Sequence, residues 1–104
     1  MNHITVEIWL WLGKELGEDF KSLSEMRSLK EENVEEGTTI HQLLDSLAQC
    51  YPPIAQNIFD PKLKKVNPQL LVNYNDKMIS PYVVKEQVLK DGDKITIFPV
   101  YVGG

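Results

Sequence analysis

"TTIHQLLDSLAQCYPP" (residues 38–53) decides the fold of this chain. Ile40, Leu43, Leu44, Leu47, Ala48 and Tyr51 recur three and four residues apart, which gathers them into one apolar stripe on an α-helix. Thr39 stands where an N-cap oxygen is needed, and Gln42 three residues later completes a capping box. Pro52 and Pro53 stop the helix, because proline lacks the N–H that the next turn requires. A helix with a single apolar stripe must bury it against another layer, and the flanking sequence supplies a sheet.

Upstream, in "ITVEIWLWL" (4–12), Ile4, Val6, Ile8, Leu10 and Leu12 alternate with Thr5, Glu7, Trp9 and Trp11, the period of two of a strand. One face is aliphatic, and the other begins polar and ends in two tryptophans. Residues 13–37 are charge-rich and weakly periodic, and read as a loop leading into a short second strand near Val34. Downstream, "IAQNIF" (54–59) suggests a short helical turn, and 60–68 reads as a loop. "QLLVNYNDKMI" (69–79) reads as two strand segments joined at Asn75 and Asp76, residues that tolerate the left-handed turn conformation. A "DGD" turn at 91–93 introduces the last strand, "DKITIFP" (93–99). The order predicts an α+β fold, a mixed sheet with one main helix packed across one face, in a single domain over residues 1–104.

If the aliphatic strand faces meet the helix, alternation sends Trp9 and Trp11, Leu71, and Lys94, Thr96 and Phe98 to the other face. Large apolar residues gathered on a face no helix covers point to a docking surface, here centred on Trp9, Leu71 and Phe98. The competing expectation is that the long charged segment before the helix folds over them.

Eleven Lys and Arg against fifteen Asp and Glu give a net charge of −4, so the chain has no electrostatic footprint for nucleic acid or an anionic membrane. The apolar run near the N-terminus is far short of a bilayer span, and no basic leader precedes it, so the expected compartment is the cytoplasm. A single cysteine, Cys50, builds no internal disulfide or multi-cysteine metal site. Its place near the helix stripe reads as a small buried hydrophobe. His3 and His41 are far apart, with no carboxylate placed to orient either, so no metal or catalytic role is assigned to them. Asp91 and Asp93 flank Gly92 as turn residues rather than an acid–base pair. No nucleophile–base constellation is evident, and the chain is not expected to catalyse a reaction alone.

The sequence closes on "VYVGG" (100–104). Pro99 cannot donate to a sheet ladder and so helps end the last strand, leaving 100–104 as a flexible arm that spans about 17 Å when extended. Gly103 and Gly104 have no side chains and fit a channel that any Cβ would obstruct. The terminal carboxylate is a poor electrophile at neutral pH, so a partner must activate it.

"LKDGDKITIFPVYVGG" (89–104) resembles the C-terminal signature of the MoaD/ThiS family of ubiquitin-like sulfur carriers, closest to the small subunit of molybdopterin synthase. "EGTTIHQLLDSLAQCYP" (36–52) is similar to that family's capped helix, "LLVNYNDKMI" (70–79) to its third strand and turn, and "ITVEIWLWLGKELG" (4–17) to its first strand. The resemblance implies a β-grasp fold and a C-terminal glycine, here Gly104, that is adenylated and then converted to a thiocarboxylate. The implied partners are an adenylating enzyme that uses ATP, a sulfur donor protein, and the large synthase subunit, which uses the sulfur to form the pterin dithiolene. This chain itself would bind no cofactor or metal. Trp9, Leu71 and Phe98, with Pro99, Val100, Tyr101 and Val102 of the arm, are the implied partner contacts. Residues 18–33 are longer than the family's usual connection, and Tyr101 is bulkier than its usual tail residues. Related carriers serve thiamine, tRNA thiolation or tungsten-cofactor pathways. Other readings are a ubiquitin-like protein modifier and a β-grasp binding module that needs no Gly104.

Overall fold

The structure is a computed structural model that describes residues 1–10 and 12–99. In chain order it contains β1 (Asn2–Trp9), α1 (Gly13–Leu16), β2 (Lys21–Ser22), β3 (Arg27–Val34), α2 (Ile40–Cys50), α3 (Pro52–Asn57), β4 (Phe59–Asp60), β5 (Lys65–Val66), β6 (Leu70–Tyr74), β7 (Lys77–Ile79) and β8 (Lys94–Pro99). Six strands form one mixed sheet in the order β2-β3-β1-β8-β6-β7, and β4 and β5 form a separate hairpin. The two central strands, β1 and β8, run parallel, with Ile8 beside Ile97, and their other neighbours are antiparallel.

The helix is specified as its sequence requires. The Gln42 amide donates to the Thr39 hydroxyl oxygen at 3.2 Å, and the Thr39 amide donates to the Gln42 side chain at 3.0 Å, so both arms of the capping box are made. Ile40, Leu43, Leu44, Leu47 and Ala48 are buried in one cluster with Ile4, Val6 and Ile8 of β1, Val72 of β6, and Ile95 and Ile97 of β8. Truncating one such aliphatic side chain to alanine costs about 2–5 kcal/mol.

Three local expectations are corrected. The second strand is not a short piece near Val34: β3 is eight residues long and pairs with β1 along its whole length, from Asn2 beside Val34 to Trp9 beside Arg27. Its sequence hides this because backbone pairing, not apolar alternation, holds it. Lys30 and Glu32, two apart on one face, satisfy each other as an ion pair. The first strand stops at Trp9, so Leu12 reaches the core through the turn before α1, where it joins buried Leu16 and Phe20. Cys50 is exposed rather than buried. It stands about 60° around the helix from Leu47, at the margin of the stripe. Tyr51 and Phe20 close that end of the core, their rings edge-to-face at 5.2 Å.

The turns follow the sequence closely. Asn75 and Asp76 both adopt positive φ between β6 and β7, at 50° and 67°. Gly92, at φ 87°, lets its amide donate to the His3 carbonyl at 2.8 Å. Asp91 and Asp93 act as turn locks: Asp91 accepts from the His3 amide, and buried Asp93 accepts from the Tyr74 hydroxyl, the Asn75 side chain and the Lys90 amide.

Candidate functional site

Strand alternation leaves one sheet face without a helix, and its centre spans β1, β8 and β6. Trp9 and Phe98 are neighbours there, with ring centroids 6.1 Å apart, and Leu71 is the register partner of Phe98. The structure thus brings Trp9, Leu71 and Phe98 into one row, each half-buried, whereas Ile95 and Ile97 on the opposite face are fully buried. The charged segment does not fold over this row. It joins the sheet edge as β2 and β3, and Arg27 reaches in, its guanidinium 4.9 Å from the centre of the Trp9 ring.

Glu7 is the residue that alternation did not flag. It sits on this same face, yet it is 2% exposed, the least accessible charged side chain among the described residues. Its Oε2 accepts from the Trp9 indole N–H and from Arg27 Nε and Nη2 at 3.0 and 2.9 Å, and Lys94 Nζ lies 3.4 Å from Oε1. Burial pushes the carboxyl up, but the bonds from Trp9 and Arg27 and the Lys94 charge outweigh it and hold its pKa below the ordinary value. Glu7 is therefore an ionised acceptor whose Oε2 takes the bonds from Trp9 and Arg27 while Oε1 faces Lys94, and it fixes Trp9 and Arg27. The available signal was the one carboxylate of β1, two residues before a tryptophan.

Asn73, also on this face beside Thr96, has a buried Oδ1 with no hydrogen-bond partner among the described residues. Pro99 is the last described residue of β8, in register with Leu70. The arm positions Val100, Tyr101, Val102, Gly103 and Gly104 lie outside the described residues, as does Trp11. His3 does have a carboxylate beside it: Glu31 lies 3.4 Å from Nε2, and both side chains are about half exposed. The Asn33 and Glu31 contacts raise the pKa of His3. No group of three or more His, Cys, Asp or Glu among the described residues is placed to hold a metal ion, and no described helix is long and apolar enough to cross a membrane.

Residues 20–104 match the family model of the ThiS family. No curated protein matches the chain significantly. Among solved structures, small archaeal modifier protein 1 from Haloferax volcanii superposes with a TM-score of 0.70 at 16% identity, covering 99% of this chain and all of its own. Urm1 from Trypanosoma brucei gives 0.69 at 20% identity, covering 99% of this chain and 96% of its own. A Pyrococcus furiosus protein described as molybdopterin converting factor, subunit 1, gives 0.65 at 16%, covering 97% of this chain and all of its own. At these identities the likeness establishes the fold, a ubiquitin-like β-grasp.

Proposed function

The chain belongs to the ThiS family, and on that premise we propose that it is a sulfur carrier whose Gly104 carboxyl is adenylated and then converted to a thiocarboxylate. The observation that carries the reading is that the family match runs through residue 104 and so includes the glycine pair at the end of the sequence. The fold supports it: β8 carries the described chain up to Pro99, beside the half-buried row of Phe98, Leu71 and Trp9. A partner seated on that row would lie beside Pro99, the residue from which the tail continues. Within the family we assign the chain to molybdopterin synthase as its small subunit, with the large subunit, an ATP-using adenylating enzyme and a sulfur donor protein as partners. The work is shared with those partners: this chain carries the acyl group, and activation converts a poor electrophile into one that a sulfur nucleophile attacks.

A second reading is favoured by two of the structural likenesses, which are to a small archaeal modifier protein and to Urm1. In it, the same activated Gly104 forms amide bonds to lysines of other proteins.

Mass spectrometry separates the two. Incubated with its adenylating enzyme, ATP and sulfide, which displaces AMP from the acyl adenylate, a carrier gains about 16 Da, sulfur for oxygen, on its C-terminal peptide. A gain located on Cys50 instead would overturn the thiocarboxylate assignment. Lysine-linked conjugates in cells carrying the tagged protein, without the thiocarboxylate, would establish the modifier reading in its place.

A further inference from the structure

A cleft of 510 Å³ opens away from the uncovered sheet face, between the first turn of α2, the β4–β5 hairpin and the turn at 81–86. Its inner wall is ordered. His41 Nε2 donates to the Lys64 carbonyl at 2.9 Å while its ring stands edge-on to buried Phe59 at 4.9 Å, and the His41 amide donates to the Val84 carbonyl at 3.0 Å. Helix, hairpin and turn are thereby tied together around the opening.

Two features of the rim are not explained by folding. The first is apolar exposure: Leu63 is 64% exposed and Tyr82 is 90% exposed. Leu63 is held out by a fixed turn. Asp60 Oδ1 accepts from the Lys62 and Leu63 amides at 2.8 and 3.1 Å, its carbonyl accepts from Lys64, and Lys64 takes a positive φ of 55°. Such a side chain loses little entropy on binding, because its backbone is already set. The second is charge. Lys64, Lys65 and Lys85 line the cleft, and none of the described residues lining it is acidic, in a chain whose net charge is −4. Asp45 pairs with Lys64 at 2.8 Å, whereas Lys65 and Lys85 make no ion pair among the described residues.

We propose that this cleft binds an acidic peptide segment of a protein partner, with an aromatic or aliphatic side chain seated between Leu63 and Tyr82 and flanking carboxylates on Lys65 and Lys85. An exposed tyrosine and leucine supply contact area, and the lysines supply complementarity and a faster encounter. The cleft shares no residue with the Trp9, Leu71 and Phe98 row, so its occupancy leaves the sheet face free. The inference stands whether or not the chain carries sulfur.

The test is amide NMR of the full chain titrated with a capped heptapeptide of alternating Glu and Asp around a central Phe. Its counterpart with lysines in place of the acids and a hexauridylate serve as parallel probes. The expected result is saturable shifts centred on 41, 63–66 and 82–85, seen with the acidic peptide and weakened by salt. Tyr82→Ala and the pair Lys65→Glu with Lys85→Glu should each weaken that binding about tenfold. Those side chains are exposed, so the variants keep the dispersed spectrum of the folded chain. Absence of shifts at millimolar peptide, an equal or stronger response to the oligonucleotide, or shifts centred on Trp9 and Phe98 would each overturn the assignment.

Discussion

Replacing Glu7 with glutamine perturbs the uncovered face at its most enclosed point. The amide keeps the shape of the carboxyl but removes its charge and turns one oxygen into a donor, so Arg27 and the Trp9 indole are left with at most a neutral acceptor. Where removal of one partner strands a buried charge, the cost is about 3–5 kcal/mol. Here the stranded groups are Arg27 and Lys94, whose side chains are 41% and 47% exposed, so both regain water when Glu7 is neutralised. The expected loss is therefore smaller, about 2–3 kcal/mol, the scale of one hydrogen bond to a charged group. Unfolding entropy of about 2.1 cal/mol/K per residue gives roughly 0.2 kcal/mol/K for 104 residues, so the melting temperature should fall by about 9–14 °C.

The effect has a pH signature. The folded pKa of Glu7 lies below its ordinary value of 4.5, so the unfolded chain takes up the proton first. Its stabilisation is complete above that value and is lost as pH falls through the folded pKa. Glutamine does not titrate, so the gap between wild type and Glu7→Gln should be constant from neutral pH down to the ordinary carboxyl range and should narrow below it. Urea denaturation followed by circular dichroism at neutral and acid pH measures both quantities. A gap at neutral pH below about 0.5 kcal/mol, within the range of ordinary surface substitutions, would refute the network. So would a gap that stays the same size in acid.

Under the proposed assignment, Phe98→Asp should weaken complex formation with the large synthase subunit by tenfold or more while calorimetry still shows one cooperative melt, since a charge is costly in a buried interface and tolerated on a half-open face. Trp9→Asp is a poorer probe, because it places a second carboxylate beside Glu7 and should also lower the melting temperature. Deleting Gly104, or replacing Gly103 with valine, should abolish sulfur transfer with the melting temperature nearly unchanged: the first shortens the reach by about 3.5 Å, and the second adds a β-branched side chain. Asp93→Ala should cost about 2–4 kcal/mol by stranding buried donors. It should also let the Tyr74 hydroxyl, pushed up to about 12 by burial and by Asp93, titrate at lower pH in an ultraviolet titration.

The elements legible in the sequence are those whose instructions are local. Thr39 and Gln42 cap a helix through atoms three residues apart, and the Asn75–Asp76 and Gly92 turns depend on what those residues tolerate at positive φ. β3 is different. Its eight residues carry one buried serine and mostly charged neighbours, and what makes them a strand is β1, whose edge would otherwise leave a row of N–H and C=O groups unpaired. A partner whose paired residues lie 18 (Trp9 to Arg27) to 32 (Asn2 to Val34) positions away in sequence leaves no periodic mark. Glu7 was hidden for the same reason: alternation places it on the outward face, but burial is decided by Arg27, Lys94 and Trp9 converging on it from three strands. Cys50 shows the limit of helical periodicity, because a stripe says which side is apolar and not where the opposing layer ends.

A charged group enclosed on the uncovered sheet face is a choice that stability does not explain, since well-packed apolar residues of similar volume commonly serve as well as a buried ion pair. What Glu7 provides is placement. It anchors Arg27 over Trp9 and draws Lys94 inward from β8, so the apolar row has cations fixed along one flank while their outer surfaces remain in water. An apolar centre with a polar rim is the arrangement of interfaces that form and separate, whereas an uninterrupted apolar face favours permanent association or aggregation. A carrier that meets an activating enzyme and then an acceptor must leave each in turn, and holding a carboxylate where a leucine would fit serves that requirement. Glu7→Leu is the corresponding perturbation: it should leave the fold about as stable as wild type, while partner complexes dissociate more slowly and the free chain self-associates. Stability near wild type together with unchanged dissociation rates and a monomeric chain would show that the buried charge serves folding specificity alone.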